Sequence, residues 1–421
     1  MEPRRVLVIS HNCFSASGSN GRTLANFFKG YPTDKLAQFY IYNERPSSPV
    51  CDRYYRVTDA EAKRSLLHGG CGAQLHRVDA EADTAAAAEA VKKPRKTPFV
   101  YFVREWVWRL GRWKNRRLWQ WIEEFSPEVV LFQAGDAAFL FDFARKVSKK
   151  YRIPLVIYNS ESYYFKDKNF LATSRFSELW YAVLHRYFRR HAGRAIRHAK
   201  ASVYISDSLR RLYDGAFGTH SVTVMTSTDL LETPPVPKTE GVTVSYLGNL
   251  GVGRHKSLLA LGEILRSIDP TLTLSVYGNA SEAIAKELCE AEGISYKGFV
   301  SYADCVRIMK ESTLLVHAES FEEFFLEDSR YAFSTKIADC LASGTCLFVY
   351  APSELSFTGY LRECEAAAVA SDTDSAKQQL TALLENEDLR CAYAERAMQV
   401  ARQNHSVDRN REIFLQTLQQ E

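Results

Sequence analysis

No apolar run in the sequence approaches the roughly 20 residues needed to span a bilayer. The opening MEPRRVLVIS has neither the apolar core nor the small-residue cleavage site of a secretory signal. The chain is therefore expected in the cytoplasm. Its nine cysteines form no CxxC pair and no Cys/His set with zinc spacing, and an odd number without such a pattern reads as reduced thiols. Neither disulfides nor a structural metal are expected. No glycine-rich loop closes on GK[ST], which excludes a Walker motif, and Gly18 and Gly21 do not form a dinucleotide fingerprint.

What is present points to two α/β domains, because 421 residues exceed one core and suit two. The net charge of +4 hides an asymmetry. Residues 1–240 hold 38 Lys+Arg against 24 Asp+Glu, and residues 241–421 hold 16 against 26, so the halves carry +14 and −10. A basic half joined to an acidic half suggests an anionic surface met by one domain only.

The first domain opens with a β run, Val6 to Ser10, and a polar loop, HNCFSASGSNGRTLANFF, that enters a helix near Thr23. Such a loop lies at the carboxyl edge of a sheet, where doubly wound domains place ligands. A plain tight turn is the other reading. Residues 59–98, rich in alanine and basic residues, lack periodicity and read as an excursion. Next come Trp106, Trp108, Trp113, Trp119 and Trp121, interleaved with Arg104, Arg109, Arg112, Lys114, Arg116 and Arg117. This stretch, residues 99–125, together with the basic residues 186–200, fits a membrane interface with indoles at headgroup depth and cations on anionic lipid. A helical hairpin packing its Trp into the core is the alternative, and a nucleic-acid surface is not expected, since no nucleic-acid motif accompanies the charge. Strands follow at Pro127 to Gln133 and Pro154 to Asn159. The run LETPPVPKTEG breaks every period, which places a linker at 233–240 between domains at 1–232 and 241–404.

The second domain begins with a strand, Val242 to Leu247, then GNLGVGRHK, then a helix from Ser257. Bare amides and two cations between a strand and a helix make a phosphate signature. The stretch FSTKIADCLASGTCLFVYAP, Phe333 to Pro352, reads as a helix capped by Ser334 or Thr335, stopped by Gly344 and followed by a buried strand. Its N-terminus suits phosphate, and Asp339, one turn along, suits hydroxyls, which together indicate a nucleotide. Regular β/α alternation predicts a parallel sheet. Asp372-Thr373-Asp374 matches a metal-binding DxD string, yet it precedes a helix, so capping is the better account.

VLVISHNCFSASGSNGRTLANFF, VSYLGNLGVGRHKSL, YKGFVSYADCVRIM and FSTKIADCLASGTCLFVYAP together resemble the retaining glycosyltransferases of GT-B fold in family four, over essentially the whole length. The resemblance implies two Rossmann-like doubly wound domains facing across a cleft, with a C-terminal helix, here 405–421, crossing back to the first domain. It implies a nucleoside-diphosphate sugar held mainly by the second domain, an acceptor held by the first, and no metal or other cofactor. By position, Asp339 stands where the family has a ribose-binding glutamate. Asn249 stands at its diphosphate arginine and Arg254 at its lysine, with Lys256 close by. Gly248, Gly251, Gly253, Ser334, Thr335 and Lys336 complete the phosphate side, and Tyr277, Phe299 and Val300 the base side. Gly21 matches the first-domain loop glycine that lets the diphosphate approach.

The family's EX7E string is broken, since Tyr331 stands eight residues before Asp339, and Glu322 is the candidate for the sugar-side carboxylate. His11, Asn20, Asn159 and Glu161 are the candidates for the acceptor or sugar side, with no histidine at 159–161 where many members have one that contacts the donor sugar. The implied reaction is sugar transfer with retention to a glycan or lipid-linked acceptor, in surface polysaccharide or glycolipid synthesis, on the inner face of a membrane. Arg254 and Lys256 would stabilise the leaving diphosphate. The rival readings are a nucleotide-sugar 2-epimerase on the same scaffold and a non-catalytic protein that binds a glycan or membrane.

Overall fold

The computed structural model describes residues 2–15, 19–77, 97–169, 171, 175–234, 236–238 and 241–420. The chain separates into two compact units, Met1–Val224 with Asn410–Glu421, and Met225–Arg409. The first unit is built on strands β1 (Val6–Ser10), β2 (Leu36–Tyr40), β3 (Tyr54–Arg56), β4 (Ala73–Leu75), β5 (Val129–Gln133), β6 (Leu155–Asn159), β7 (Ala201–Tyr204) and β8 (Ser221–Thr223). They lie in the order β4-β3-β2-β1-β5-β6-β7-β8, and every pair is parallel except β3 with the edge strand β4. Every residue of β1, β2, β5 and β6 is buried, as a sheet covered on both faces requires. The C-terminal helix Val407–Gln419 contributes Phe414, stacked on Phe27 at 4.5 Å, and Leu418 to this core.

The second unit carries β9 (Val244–Leu247), β10 (Leu274–Tyr277), β11 (Ile294–Gly298), β12 (Leu314–Ala318), β13 (Cys346–Tyr350) and β14 (Ala368–Ala370). Their order is β11-β10-β9-β12-β13-β14, and all pairs are parallel. Chain direction across each sheet reverses at one point, between β1 and β5 in the first unit and between β9 and β12 in the second. Crossovers leave in opposite senses there, so the loops part and open a crevice at the carboxyl ends of the strands.

Three sequence expectations are corrected by packing. The boundary falls between Val224 and Met225, ahead of residues 233–240. Residues 225–232, expected in the first domain, pack in the second unit, where Leu230 is buried and Thr228 bridges to Ser406. The proline-bearing run is fastened to the same unit, since Lys310 Nζ donates to the carbonyls of Thr233 and Pro234 at 2.9 and 2.6 Å. Second, the helix after the glycine-rich loop starts at Arg254, not Ser257.

Third, the tryptophans of 99–125 are mostly core. Trp108, Trp113 and Trp121 are fully buried in a hairpin of helices Pro98–Leu110 and Arg116–Phe125. The Trp108 ring stacks on Phe139 at 4.3 Å while its Nε1 donates to Asp59 at 2.6 Å. Glu105 in this hairpin is buried and accepts the amides of Ala138 and Phe139, capping the helix Ala138–Tyr151. Residues 59–77 of the expected excursion form the helix Asp59–Arg64 and β4, whereas 78–96 lie outside the described residues.

At the end of the second unit His405 is fully buried. Its Nδ1 donates to the Thr226 carbonyl at 2.7 Å and its Nε2 accepts from the Tyr360 hydroxyl at 3.0 Å, which fixes the neutral tautomer. Burial pushes the imidazole down from 6.5 to about 4, outweighing the Thr226 carbonyl, which works the other way. The unfolded chain therefore takes up this proton first. Stability from the site is complete above pH 6.5 and is lost as pH falls toward 4, at up to roughly 1.4 kcal/mol per pH unit. Denaturant unfolding at pH 7 and pH 5 is expected to show a larger loss for the wild type than for His405→Gln, and equal losses would refute the assignment.

Candidate functional site

In the second unit the crevice lies between the loop after β9 and the residues after β12. The β9 loop is held tightly. Tyr246 Oη donates to the Asn249 carbonyl at 2.8 Å, and Asn249 Oδ1 accepts the Gly251 amide at 2.9 Å. Asn249 Oδ1 thus braces its own turn, on an exposed side chain. Gly278 must be glycine, because a Cβ there would lie 1.9 Å from the Gly248 carbonyl oxygen. Gly253 has φ +76° and a Cβ would meet Ser320 Oγ at 2.4 Å, so the loop presses on the segment after β12. Val252, with φ 51°, takes the left-handed conformation without being glycine, a strained choice for a β-branched residue.

Arg254 and Lys256 consequently sit on the first turn of the helix Arg254–Ile268, and both are paired. Arg254 Nε and Nη2 donate to the two oxygens of Glu319, each at 2.8 Å. Ser257 Oγ on the same helix donates to the Glu319 carbonyl at 2.7 Å, and His317 Nε2 lies 3.4 Å from Glu319 Oε1. Burial pushes the Glu319 carboxyl up, but His317 and Arg254 outweigh it and hold the group below the ordinary carboxylate range. Lys256 Nζ donates to Glu322 at 2.5 Å in a solvent-exposed pair. Glu322, the sugar-side candidate, therefore faces a cation in this structure.

The helix Thr335–Ala342 starts beside them. Ile337, Ala338, Cys340 and Leu341 are buried, Gly344 takes the left-handed conformation that ends the helix, and Lys336 and Asp339 are half-buried on one face, three residues apart. Ser334 occupies the N-cap position, yet its side chain makes no capping bond. The start of the helix Arg254–Ile268 also lacks one, whereas Ser281, Ser301, Asp372 and Asn386 cap theirs. Lys336 has no hydrogen bond or ion pair among the described residues. Burial first and Arg254 second push its ammonium below the usual lysine range. Arg254 and Lys336 share a partly desolvated corner with Glu319 and Asp339, and Lys336 is the cation that no carboxylate grips among the described residues, an arrangement that an anion would relieve.

Other candidates fall as follows. Tyr277 ends β10 half-buried, while Phe299 and its neighbour Val300 follow β11, with Phe299 71% exposed. The side chains of Asn20 and Thr335 lie outside what is described, as does Gly18. Asp372 accepts the Ser375 amide at 2.8 Å and is a helix cap. In the first unit His11 follows β1 and its Nε2 lies 3.4 Å from Asp136, which follows β5, so this pair spans that unit's reversal point. Gly21 is buried against its own loop, where a Cβ would lie 2.3 Å from the Cys13 carbonyl oxygen. Asn159 is buried at the end of β6, and Glu161 lies 3.4 Å from Lys166 Nζ. Glu319 and Asp136 were not among the sequence-predicted site residues, and the EX7E spacing of Glu319 to Glu327 stands in the wrong register for that family string. Each follows a strand bordering a reversal point, and that position was the available signal.

The model of a family described as glycosyl transferase-like matches residues 256–416. No curated protein matches the chain. Among solved structures, HepE of Anabaena in complex with UDP is similar at 12% identity and TM-score 0.62, over 98% of this chain and 99% of that one. Sucrose-phosphate synthase of Thermosynechococcus elongatus gives 10% identity and TM-score 0.64, over 98% of each. WaaG, a glycosyltransferase involved in lipopolysaccharide biosynthesis, gives 13% and 0.58, over 99% of this chain and 100% of that one. The chain thus has the GT-B fold of these proteins, with two Rossmann-like parallel-sheet domains, and the glycosyl transferase-like pattern covers most of the unit that holds Lys256, Glu319, Lys336 and Asp339.

Proposed function

We propose that the protein is a glycosyltransferase that moves a sugar from a nucleoside-diphosphate donor to a hydroxyl of a glycan or lipid-linked acceptor. The observation that carries this reading is Lys336, a partly desolvated cation with no hydrogen bond or ion pair among the described residues, beside Arg254 and an uncapped helix start. A diphosphate supplies that charge, and Asp339 one turn along can accept from ribose hydroxyls. HepE holds UDP and UDP-glucose on the same fold, which supports a nucleotide-sugar donor.

The reaction we infer proceeds with retention and without a metal. The bond from the anomeric carbon to the diphosphate oxygen breaks and its electron pair leaves with the phosphate. The acceptor oxygen bonds to the same face, and its proton passes to that phosphate oxygen, so no protein base is assigned. Arg254, Lys336, Lys256 once released from Glu322, and the amides at the two uncapped helix starts stabilise the developing charge.

The reading extends to a peripheral membrane site in the first unit. Phe99, Val103, Trp106 and Leu110 are exposed on one face of the helix Pro98–Leu110. Phe176, Leu179 and Val183 are exposed at and on the helix Ser177–Ile196, and Trp180 joins the two sets by packing on Phe99 at 4.8 Å. Arg109 lies over Trp106 and Arg175 over Phe176, and Arg186 and Arg190 are exposed on the same helix. Apolar side chains rimmed by cations suit an anionic lipid surface. Among the described residues no helix is long and apolar enough to cross a membrane. WaaG's part in lipopolysaccharide synthesis supports a lipid-linked acceptor.

Arg254→Ala should lower turnover about 10²- to 10³-fold, as loss of one charge-stabilising donor does, and chelator should leave the wild-type rate unchanged. Near-normal turnover of the variant would exclude the clamp. Asp339→Ala should weaken binding of a nucleoside diphosphate about 10- to 100-fold while sparing inorganic pyrophosphate, measured by titration calorimetry; equal losses for both would place Asp339 away from the ribose. Sedimentation with phosphatidylglycerol vesicles should fall in 0.5 M salt and in Trp106→Ser/Leu110→Ser, and pelleting insensitive to both would dismiss the lipid surface.

A further inference from the structure

We propose that Glu319 is a positioning residue, whose two-point grip on Arg254 across the β9/β12 reversal sets the guanidinium that receives the departing diphosphate. This rests on the glycosyltransferase reading and adds to it a residue whose own charge opposes the ligand. A trap built only to attract a diphosphate would leave the end of β12 neutral. Here it carries a buried carboxylate that cancels one of the two neighbouring cations, and orientation of Arg254 accounts for that.

The geometry supports a fixed mount. Glu319 receives both Nε and Nη2 of Arg254 at 2.8 Å, a planar match that locks the guanidinium plane and the torsions leading to it. The mount is itself held at three places. The Glu319 amide donates to the Tyr350 carbonyl at 3.1 Å, its carbonyl accepts Ser257 Oγ at 2.7 Å, and His317 flanks its carboxylate. The guanidinium is thereby tied through β12 and β13 to the sheet. Nη1 of Arg254 has no hydrogen bond among the described residues, so part of the fork remains for a ligand. The Lys256–Glu322 pair differs, because both side chains are exposed and the bond can exchange with solvent or ligand.

A mount and an attractor predict different kinetics. Removing the Glu319 charge makes the corner more positive, so ground-state binding of a diphosphate holds or tightens. The aligned contact in the transition state is lost, so kcat falls. Because Glu319 acts through Arg254, its removal should add nothing once Arg254 is gone.

The test is hydrolysis of UDP-, GDP- and ADP-linked hexoses, UDP-glucose included, with water as acceptor, by wild type, Glu319→Gln, Arg254→Gln and the double variant of the full chain. Glu319→Gln is expected to lower kcat about 10- to 100-fold with KM unchanged or reduced, and the double variant to match Arg254→Gln within about threefold. Glu319→Asp, which keeps the charge but is one methylene short of the two-point grip, should fold and lose kcat similarly, which covers the case in which Glu319→Gln fails to fold. Effects that multiply in the double variant, or a raised KM with kcat unchanged, would overturn the role of Glu319 alone. A wild type that hydrolyses none of the donors would bring down the glycosyltransferase reading and this inference with it.

Discussion

The ion pair between Arg254 and Glu319 ties together the two strands between which the second sheet reverses direction, and the arrangement of the site follows from it. Both partners are removed from most solvent, so each would be costly alone; breaking one side of such a pair typically costs about 3–5 kcal/mol. The pair is also why the glycine-rich loop cannot be loose. Helix Arg254–Ile268 must begin where Arg254 reaches the end of β12, and Gly253 turns the chain into that helix in a conformation that leaves no room for a Cβ. A strand end, a glycine and an arginine are thus three parts of one constraint.

Charge balance explains the rest of the corner. Arg254 and Glu319 pair with each other, which leaves Lys336 without an ion-pair partner among the described residues, and burial first and Arg254 second lower its affinity for a proton. Backbone amides at two helix starts lack the side-chain acceptors that several other helices of the unit possess. Helix starts without a side-chain cap and an ammonium without an ion-pair partner among the described residues both favour an anion with several oxygen acceptors.

How much of this was legible from residues alone depended on the range of the interaction involved. The alternation of the second unit, the end of the helix Thr335–Ala342 at Gly344 and the capping role of Asp372 are local, set by residues within one turn, and they read directly. The burial of Trp108, Trp113 and Trp121 is not local. Interleaved Trp and Arg look alike whether the indoles face lipid or a core, and contacts with Phe139, Phe143 and Asp59, distant in sequence, decide it. The boundary at Val224 was hidden for a similar reason, since prolines mark irregular backbone but not which unit that backbone lies against. Glu319 was hidden because an acidic run after a strand gives no hint which carboxylate turns inward.

The uncapped start of helix Thr335–Ala342 raises a physical question, since a helix of eight residues gains little from its own hydrogen bonds. Packing supplies what the cap does not. Phe333, just ahead of the N-cap, is buried and lies against the rings of Tyr360 and His405, and Ile337, Ala338 and Leu341 are buried behind it. The helix is therefore anchored at its apolar face and at the residue that precedes it, and its first turn does without a side-chain cap from Ser334, whose carbonyl accepts the Ile337 amide at 3.1 Å. A side-chain cap would satisfy such amides more cheaply, but it would place an oxygen where a phosphate oxygen would go in the donor complex proposed above. Anchorage through Phe333 and His405 separates the two requirements, holding the helix in place by buried surface and keeping its positive end clear for the proposed diphosphate.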